Sequence, residues 1–315
     1  MEFDYADHLI RRSRLIMPAN EPKYVEKAHL RNADAVVLDL EDSVPVSEKV
    51  ATRAVLKNSI SLAGKSGSDV LVRVNHTSEL LKGDVEACVW PGLDGIFFPK
   101  VETGEQVRAL DQLLAKLEKE RGIPPGHVKI SVIAETLKGY LNVEEVVRSS
   151  DRIDCLSLGT EDFATNTGME LSDATYHGWL VPRMQIVFVA RAYGKLPLNL
   201  VGSMAAFGDT DGFEKLAVLS YKHGFLGSSC IHPGNVEILN RCFSPTQEAI
   251  EHSQRLIDIF ERSLAAGRAS TTLDGRMIDY PHYERAKQIL TRGAKIEALE
   301  QRKNMARKAA AAAGA

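Results

Sequence analysis

Glu135 and Asp162 each stand at the end of an apolar run, in ISVIAE and LSLGTED. A carboxylate so placed needs a partner to offset its desolvation, either a buried cationic side chain or a metal ion. No His or Cys lies at ligand spacing from either, so the pair suits Mg²⁺, which takes oxygen ligands and retains waters. Arg73, in VLVRVN, brings a guanidinium to a run that otherwise reads as buried. It could fork onto a carboxylate or steady a developing enolate, or it could bridge Glu41 or Asp42. Lys100, in FFPKVE, would serve as a Schiff-base lysine only in an apolar pocket that lowers its pKa, and a neighbouring metal site makes that chemistry redundant. His232, in CIHPGN, reads as a structural histidine fixed by the turn at Pro233 and Gly234. The run GDTDGF, from Gly208 to Phe213, begins like a calcium loop but lacks the distal Glu; a turn with a helix N-cap is expected there.

The elements that must position these residues follow a repeating pattern. Short β-branched runs recur at intervals of about 20 to 45 residues, each followed by a charged stretch with helical periodicity. Strands are expected at 14–17, 35–40, 70–74, 95–99, 129–134, 155–158, 198–202 and 224–231. The stretches 22–31, 102–119, 140–147, 183–193 and 212–222 are long enough for helical crossovers between parallel strands. Eight such units in about 240 residues predict an α/β fold of the (β/α)8 TIM-barrel class. An open doubly wound sheet would carry a glycine-rich turn after its first strand, and the turn here reads MPANEPKY instead. In a barrel the βα loops open on one face, so polar residues at strand ends converge. Those ends supply Asn20, Glu41, Asp42, Arg73, Asn75, Lys100, Glu135, Glu161, Asp162 and His232.

The barrel is expected to occupy 1–243, with a C-terminal helical extension and lid at 244–315. Within that extension, Ser244 followed by Pro245 reads as an N-cap, STTLDGRMIDYP as a loop, and His282 as the start of a last helix running into an Ala-rich tail. The 315 residues are 44% hydrophobic with a net charge of -3, and their Lys and Arg are dispersed, which argues against a nucleic-acid partner. The four cysteines lack metal or disulfide spacing, and no run approaches the length of a membrane span. A cytoplasmic protein with no membrane partner is expected.

Taken together, RSRLIMPAN, VVLDLEDSVPVSEK, VRVN, GIFFPKVE, VIAET, LGTEDF, GFLGSSCIHP and DGRMIDYP resemble, in order, the citrate lyase beta subunit and malyl-CoA lyase family. The resemblance runs from Arg14 to Leu290. It implies a barrel assembled as a homotrimer or homohexamer, with Mg²⁺ on Glu135 and Asp162 and Arg73 against the 2-keto acid. It also implies substrate binding at Arg14 and Glu161, with a CoA thioester entering near RSRLIMPA. The Asp of RMIDYP, Asp279, matches an acid/base that family members place in a neighbouring subunit; by sequence alone it would be a loop acid or a helix N-cap. Where many members read Gln after IHP, this chain has Asn235. The implied reaction is Mg²⁺-dependent C–C cleavage of a malyl-, citramalyl- or citryl-type CoA thioester to acetyl-CoA and a 2-keto acid. Hydrolysis of the same thioesters, and action on a carrier protein within a multi-chain lyase, are the alternatives.

Overall fold

The computed structural model describes residues 9–203 and 209–313. Eight parallel strands form one curled sheet, in the order β7-β6-β5-β4-β3-β2-β1-β8. They are β1 (Ser13–Pro18), β2 (Ala35–Asp39), β3 (Asp69–Arg73), β4 (Gly95–Phe98), β5 (Lys129–Ala134), β6 (Ile153–Leu158), β7 (Leu196–Pro197) and β8 (Ser228–Cys230). The two ends of the sheet are joined by backbone bonds: Leu226 N–H donates to Pro197 O at 2.9 Å, and Asn199 N–H to Gly227 O at 3.0 Å. The expected TIM-barrel class is what the chain adopts.

Side-chain alternation along the strands sorts the core into two layers. Ala35, Val37, Leu71, Phe97 and Ile133 pack together inside the barrel with Ile16. A larger cluster, including Val36, Leu38, Val70, Val72, Ile96, Phe98, Ile130 and Val132, faces the surrounding helices. Both faces of each strand are therefore apolar, which is why the strand sequences read as runs rather than as alternation.

Several expected boundaries move for local reasons. The seventh strand lies at Leu196–Pro197 rather than 198–202. Gly194, at φ 64°, turns the chain out of the preceding helix early, and Pro197 has no N–H with which to continue the ladder. The eighth begins at Ser228, because Gly224 at φ 96° and the bond from Phe225 N–H to Ser220 O still belong to the turn that ends the helix before it. Asp209 caps that helix, accepting from Gly212 N–H at 2.9 Å, as the turn reading of GDTDGF anticipates; Gly208 lies outside the described residues.

The chain divides into two compact units, with Ser244–Arg302 in the second. Lys303 groups with the barrel, where its Nζ reaches Asp34 at 2.9 Å and Asn32 O at 3.1 Å. In the second unit, Thr246 rather than Ser244 caps the helix Gln247–Ala265, since its hydroxyl accepts from Ala249 N–H at 3.1 Å. The expected loop STTLDGRMIDYP is a hairpin of β9 (Thr271–Leu273) and β10 (Arg276–Ile278). Its turn is Asp274-Gly275, both at positive φ, a pair suited to a two-residue hairpin. The last helix runs Tyr280–Ala313. No helix among the described residues is long and apolar enough to cross a membrane.

Candidate active site

Period-two geometry carries the site residues to the barrel mouth. Ala35 and Val37 face the interior, so Asp39 does too; Leu71 brings Arg73, and Ile133 brings Glu135, in the same way. Asp39 and Arg73 are direct register partners on β2 and β3. Arg73 Nε and Nη2 fork onto the Asp39 carboxylate at 2.6 and 2.7 Å, while Nη1 faces Glu41 at 3.2 Å and Asp42 at 3.3 Å. Arg73 is thus ion-paired with carboxylates of its own chain, Glu41 and Asp42 among them. Burial alone would raise the Asp39 pKa, but the Arg73 fork and the Ser43 hydroxyl hold it below the ordinary carboxylate range.

Lys100 Nζ lies 2.9 Å from Glu41 Oε1, 3.7 Å from Asp42 and 3.6 Å from Asp162. Although burial opposes its charge, Glu41, Asp42 and Glu135 raise its pKa, the reverse of what a Schiff-base lysine needs. Lys100 adopts φ 51°, and its backbone N–H donates to Glu135 Oε2 at 2.9 Å, fixing that carboxylate. Lys49 is a positioning residue of a different kind: its ammonium donates to Leu40 O, Glu41 O and Asn75 Oδ1 at 3.1, 2.5 and 2.6 Å, locking the ends of β2 and β3 together.

Glu135 is 4% exposed. Burial, then repulsion from Glu41 and Asp162, pushes its pKa up to about 8. Asp162 sits in the first turn of the helix Thr160–Thr167, 42% exposed. A buried carboxylate held by a backbone N–H and crowded by a second carboxylate is a donor set that a small hard cation would relieve. Among the described residues no three His, Cys, Asp or Glu side chains converge as a closed metal cage. Two carboxylates with open positions fit Mg²⁺, which takes its other ligands from water and substrate.

Gly159 is the hidden requirement of this arrangement. A Cβ there would stand 2.2 Å from Glu135 Cγ and 2.3 Å from its Oε1. Gly159→Ala is therefore expected to evict the Glu135 side chain and weaken Mg²⁺ binding at least about tenfold, the scale of lost support around a ligand. Titration calorimetry with MgCl₂ checks this, and an unchanged affinity would contradict it.

The remaining expected residues are placed as follows. Arg14, Arg73 and Glu135 line one cavity of about 60 Å³ inside the barrel, with Phe97, Ser157 and Asn199. Glu161 is exposed and accepts from Ser203 Oγ at 2.5 Å, away from that lining. Asn20 donates to Glu48 at 2.7 Å. His232 is exposed in a turn and accepts from Gly234 N–H, and Asn235 is buried at the start of the helix Asn235–Cys242. In the second unit, Asp279 follows β10 and pairs with His282 Nδ1. Asp39, Lys49 and Gly159 were not singled out from the sequence. Only Asp39 carried a signal there, as the one acid on the inward face of VVLDL.

Residues 12–233 match the model of the HpcH/HpaI aldolase/citrate lyase family. The citrate lyase subunit beta of Leuconostoc mesenteroides subsp. cremoris is 30% identical over 289 residues, covering 89% of this chain and 92% of that protein. The L-malyl-CoA/beta-methylmalyl-CoA lyase of Cereibacter sphaeroides is 30% identical over 307 residues, covering 91% and 96%. In fold, the chain is similar to Mycobacterium tuberculosis CitE solved with magnesium, acetoacetate and coenzyme A, at a TM-score of 0.69 and 24% identity over 91% of this chain and 99% of that one. Shared sequence over nearly the whole length, with the barrel and its mouth arranged as above, places the chain in the HpcH/HpaI aldolase/citrate lyase family, as a carbon–carbon lyase.

Proposed function

We propose that the protein cleaves a 3-hydroxy-3-carboxyacyl-CoA of the malyl, citramalyl or citryl type to acetyl-CoA and a 2-keto acid, with Mg²⁺ held by Glu135 and Asp162. The observation that carries this reading is the buried Glu135 carboxylate, fixed by the Lys100 N–H and crowded by Asp162, at the mouth of the barrel. When bound, Mg²⁺ supplies Lewis acidity that lowers the pKa of the substrate's 3-hydroxyl. Arg73, immobilised by Asp39, keeps Nη1 turned to the mouth, where it meets the negative charge that develops as the C–C bond breaks. Lys100 neutralises Glu41 and so limits that carboxylate's repulsion of an anionic substrate. Asp279, on the second unit, delivers a proton to the acetyl carbon. The proton that the 3-hydroxyl releases to solvent as the C–C bond breaks is recovered from solvent by Asp279, so the reaction is proton-neutral. On the family resemblance Asp279 acts in another copy of the chain, within a homotrimer or homohexamer.

Support comes from relatives named for malyl-CoA cleavage and from a CitE structure holding coenzyme A. Malyl-, citramalyl- and citryl-CoA assayed for keto acid and free CoA, with and without Mg²⁺, test the reading. Free CoA without a keto acid would assign hydrolysis instead. Activity only after mixing with an acyl-carrier protein would assign the chain to a multi-chain lyase. Asp279→Ala is expected to reduce thioester cleavage about 10²- to 10⁴-fold, the usual worth of a general acid, without altering keto-acid affinity. Normal turnover in that variant would remove Asp279 from the mechanism.

A further inference from the structure

Below the mouth, the barrel holds a guanidinium that makes no ion pair among the described residues. Arg14, on β1, is 1% exposed. Its side chain crosses the interior to stack 4.4 Å over the Phe97 ring and donate from Nη1 to Ser131 Oγ at 2.8 Å. Asp154, whose charge acts on Arg14, is itself bound by Arg11 at 2.6 Å. Among the described residues Arg14 Nε has no hydrogen-bond partner, and burial lowers the group's pKa to about 10. Two more buried polar atoms are unpartnered: Asn199 Nδ2 and Ser229 Oγ, on residues 7% and 5% exposed. All three side chains line the single cavity of about 60 Å³ that Arg73 and Glu135 close from above.

Three donors left open on a cavity wall, one of them a full positive charge, call for an anionic acceptor. At roughly 30 Å³ per water, that space holds about two waters, or one carboxylate. Since the cavity continues to Glu135 and Arg73, a group projecting from a keto acid at the mouth would enter it.

We propose that Arg14, Asn199 and Ser229 form a second carboxylate subsite, which selects substrates whose keto-acid half is a 2-oxo dicarboxylate over those releasing a 2-oxo monocarboxylate. The subsite rests on the reading of the mouth as the keto-acid site. It is distinct from the Mg²⁺ ligands and from Arg73.

Calorimetric titration of the full chain with oxaloacetate and with pyruvate, each with Mg²⁺, tests it, because these acids differ by one carboxylate. Oxaloacetate is expected to bind about 10- to 100-fold more tightly, the worth of a charge-assisted hydrogen bond. Arg14→Met should erase that preference. Should Arg14→Met fail to fold, Asn199→Leu and Ser229→Ala are each expected to narrow the preference. Equal affinities in the unmodified protein would overturn the subsite, as would a preference that survives these substitutions. A pyruvate affinity that rises to the oxaloacetate value in chloride would do the same, by giving the pocket to a free inorganic anion. An Arg14-dependent preference that needs no Mg²⁺, with no thioester cleaved, upholds the subsite and removes the lyase reading alone; no binding of either acid with Mg²⁺ present removes both.

Discussion

Asp162→Ala is expected to lower Mg²⁺-dependent release of keto acid from the thioester panel at least about a thousandfold. Losing half of a two-carboxylate site forfeits several kcal/mol of transition-state stabilisation, and about 1.4 kcal/mol is tenfold in rate. The effect on stability should be small. Asp162 is 42% exposed, and its ion pair with Lys100 at 3.6 Å is of the kind that contributes about 0–1 kcal/mol. Lys100 keeps Glu41 at 2.9 Å in the variant, so no buried charge is stranded. Steady-state kinetics paired with urea denaturation separate the two outcomes. Near-normal turnover at unchanged stability would mean that Asp162 is not a ligand the reaction depends on.

Asp34→Ala should produce the largest loss of stability, about 3–5 kcal/mol, a sizeable part of the roughly 5–15 kcal/mol that holds a domain together. Asp34 is fully buried beneath the barrel. Its Oδ2 accepts from Arg12 N–H and Nε at 2.9 and 2.8 Å, and its Oδ1 from Arg12 Nη2 and Lys303 Nζ at 2.8 and 2.9 Å. Removing it deprives two buried cations of their shared carboxylate. Burial would raise the Asp34 pKa, but Arg12 and Lys303 hold it below the ordinary value. The unfolded chain therefore binds this proton more readily than the folded one. The contribution is complete above the unfolded pKa of about 4, and it is lost as pH falls through the lower folded value. The gap in urea midpoint between parent and variant should accordingly be widest at pH 7 and narrow below about pH 4. A gap independent of pH would show that packing, not charge, accounts for the loss.

The repeat of β-branched runs and charged helices made the barrel legible, because burial on both faces of a parallel strand leaves a continuous apolar signature. Glu135, Asp162 and Arg73 stood out as polar groups closing such runs. What went unseen was set by contacts distant in sequence or by single atoms. The fork from Arg73 to Asp39 joins residues on neighbouring strands. The three carbonyl and amide oxygens that fix Lys49 come from two loops. Gly159 is required only because Glu135 Oε1 would sit 2.3 Å from its missing Cβ. The hairpin at β9 and β10 reads as a loop in the sequence because its strands are three residues each, too short for period-two alternation to emerge, although Asp274-Gly275 is a turn signal.

Which residues could ligate a hard cation, and that strand ends would gather them, was determined by the sequence itself, since residue type and strand parity are local properties. Tertiary structure alone decided how the charges are shared out. In the fold, Arg73 is immobilised by Asp39 and Lys100 by Glu41. Arg14 crosses the barrel to Phe97 and Ser131 with no ion pair among the described residues. A charge's partner depends on which strand lies beside or across from it. That is a consequence of barrel closure, in which residues 117 positions apart, Arg14 and Ser131, come within hydrogen-bonding distance.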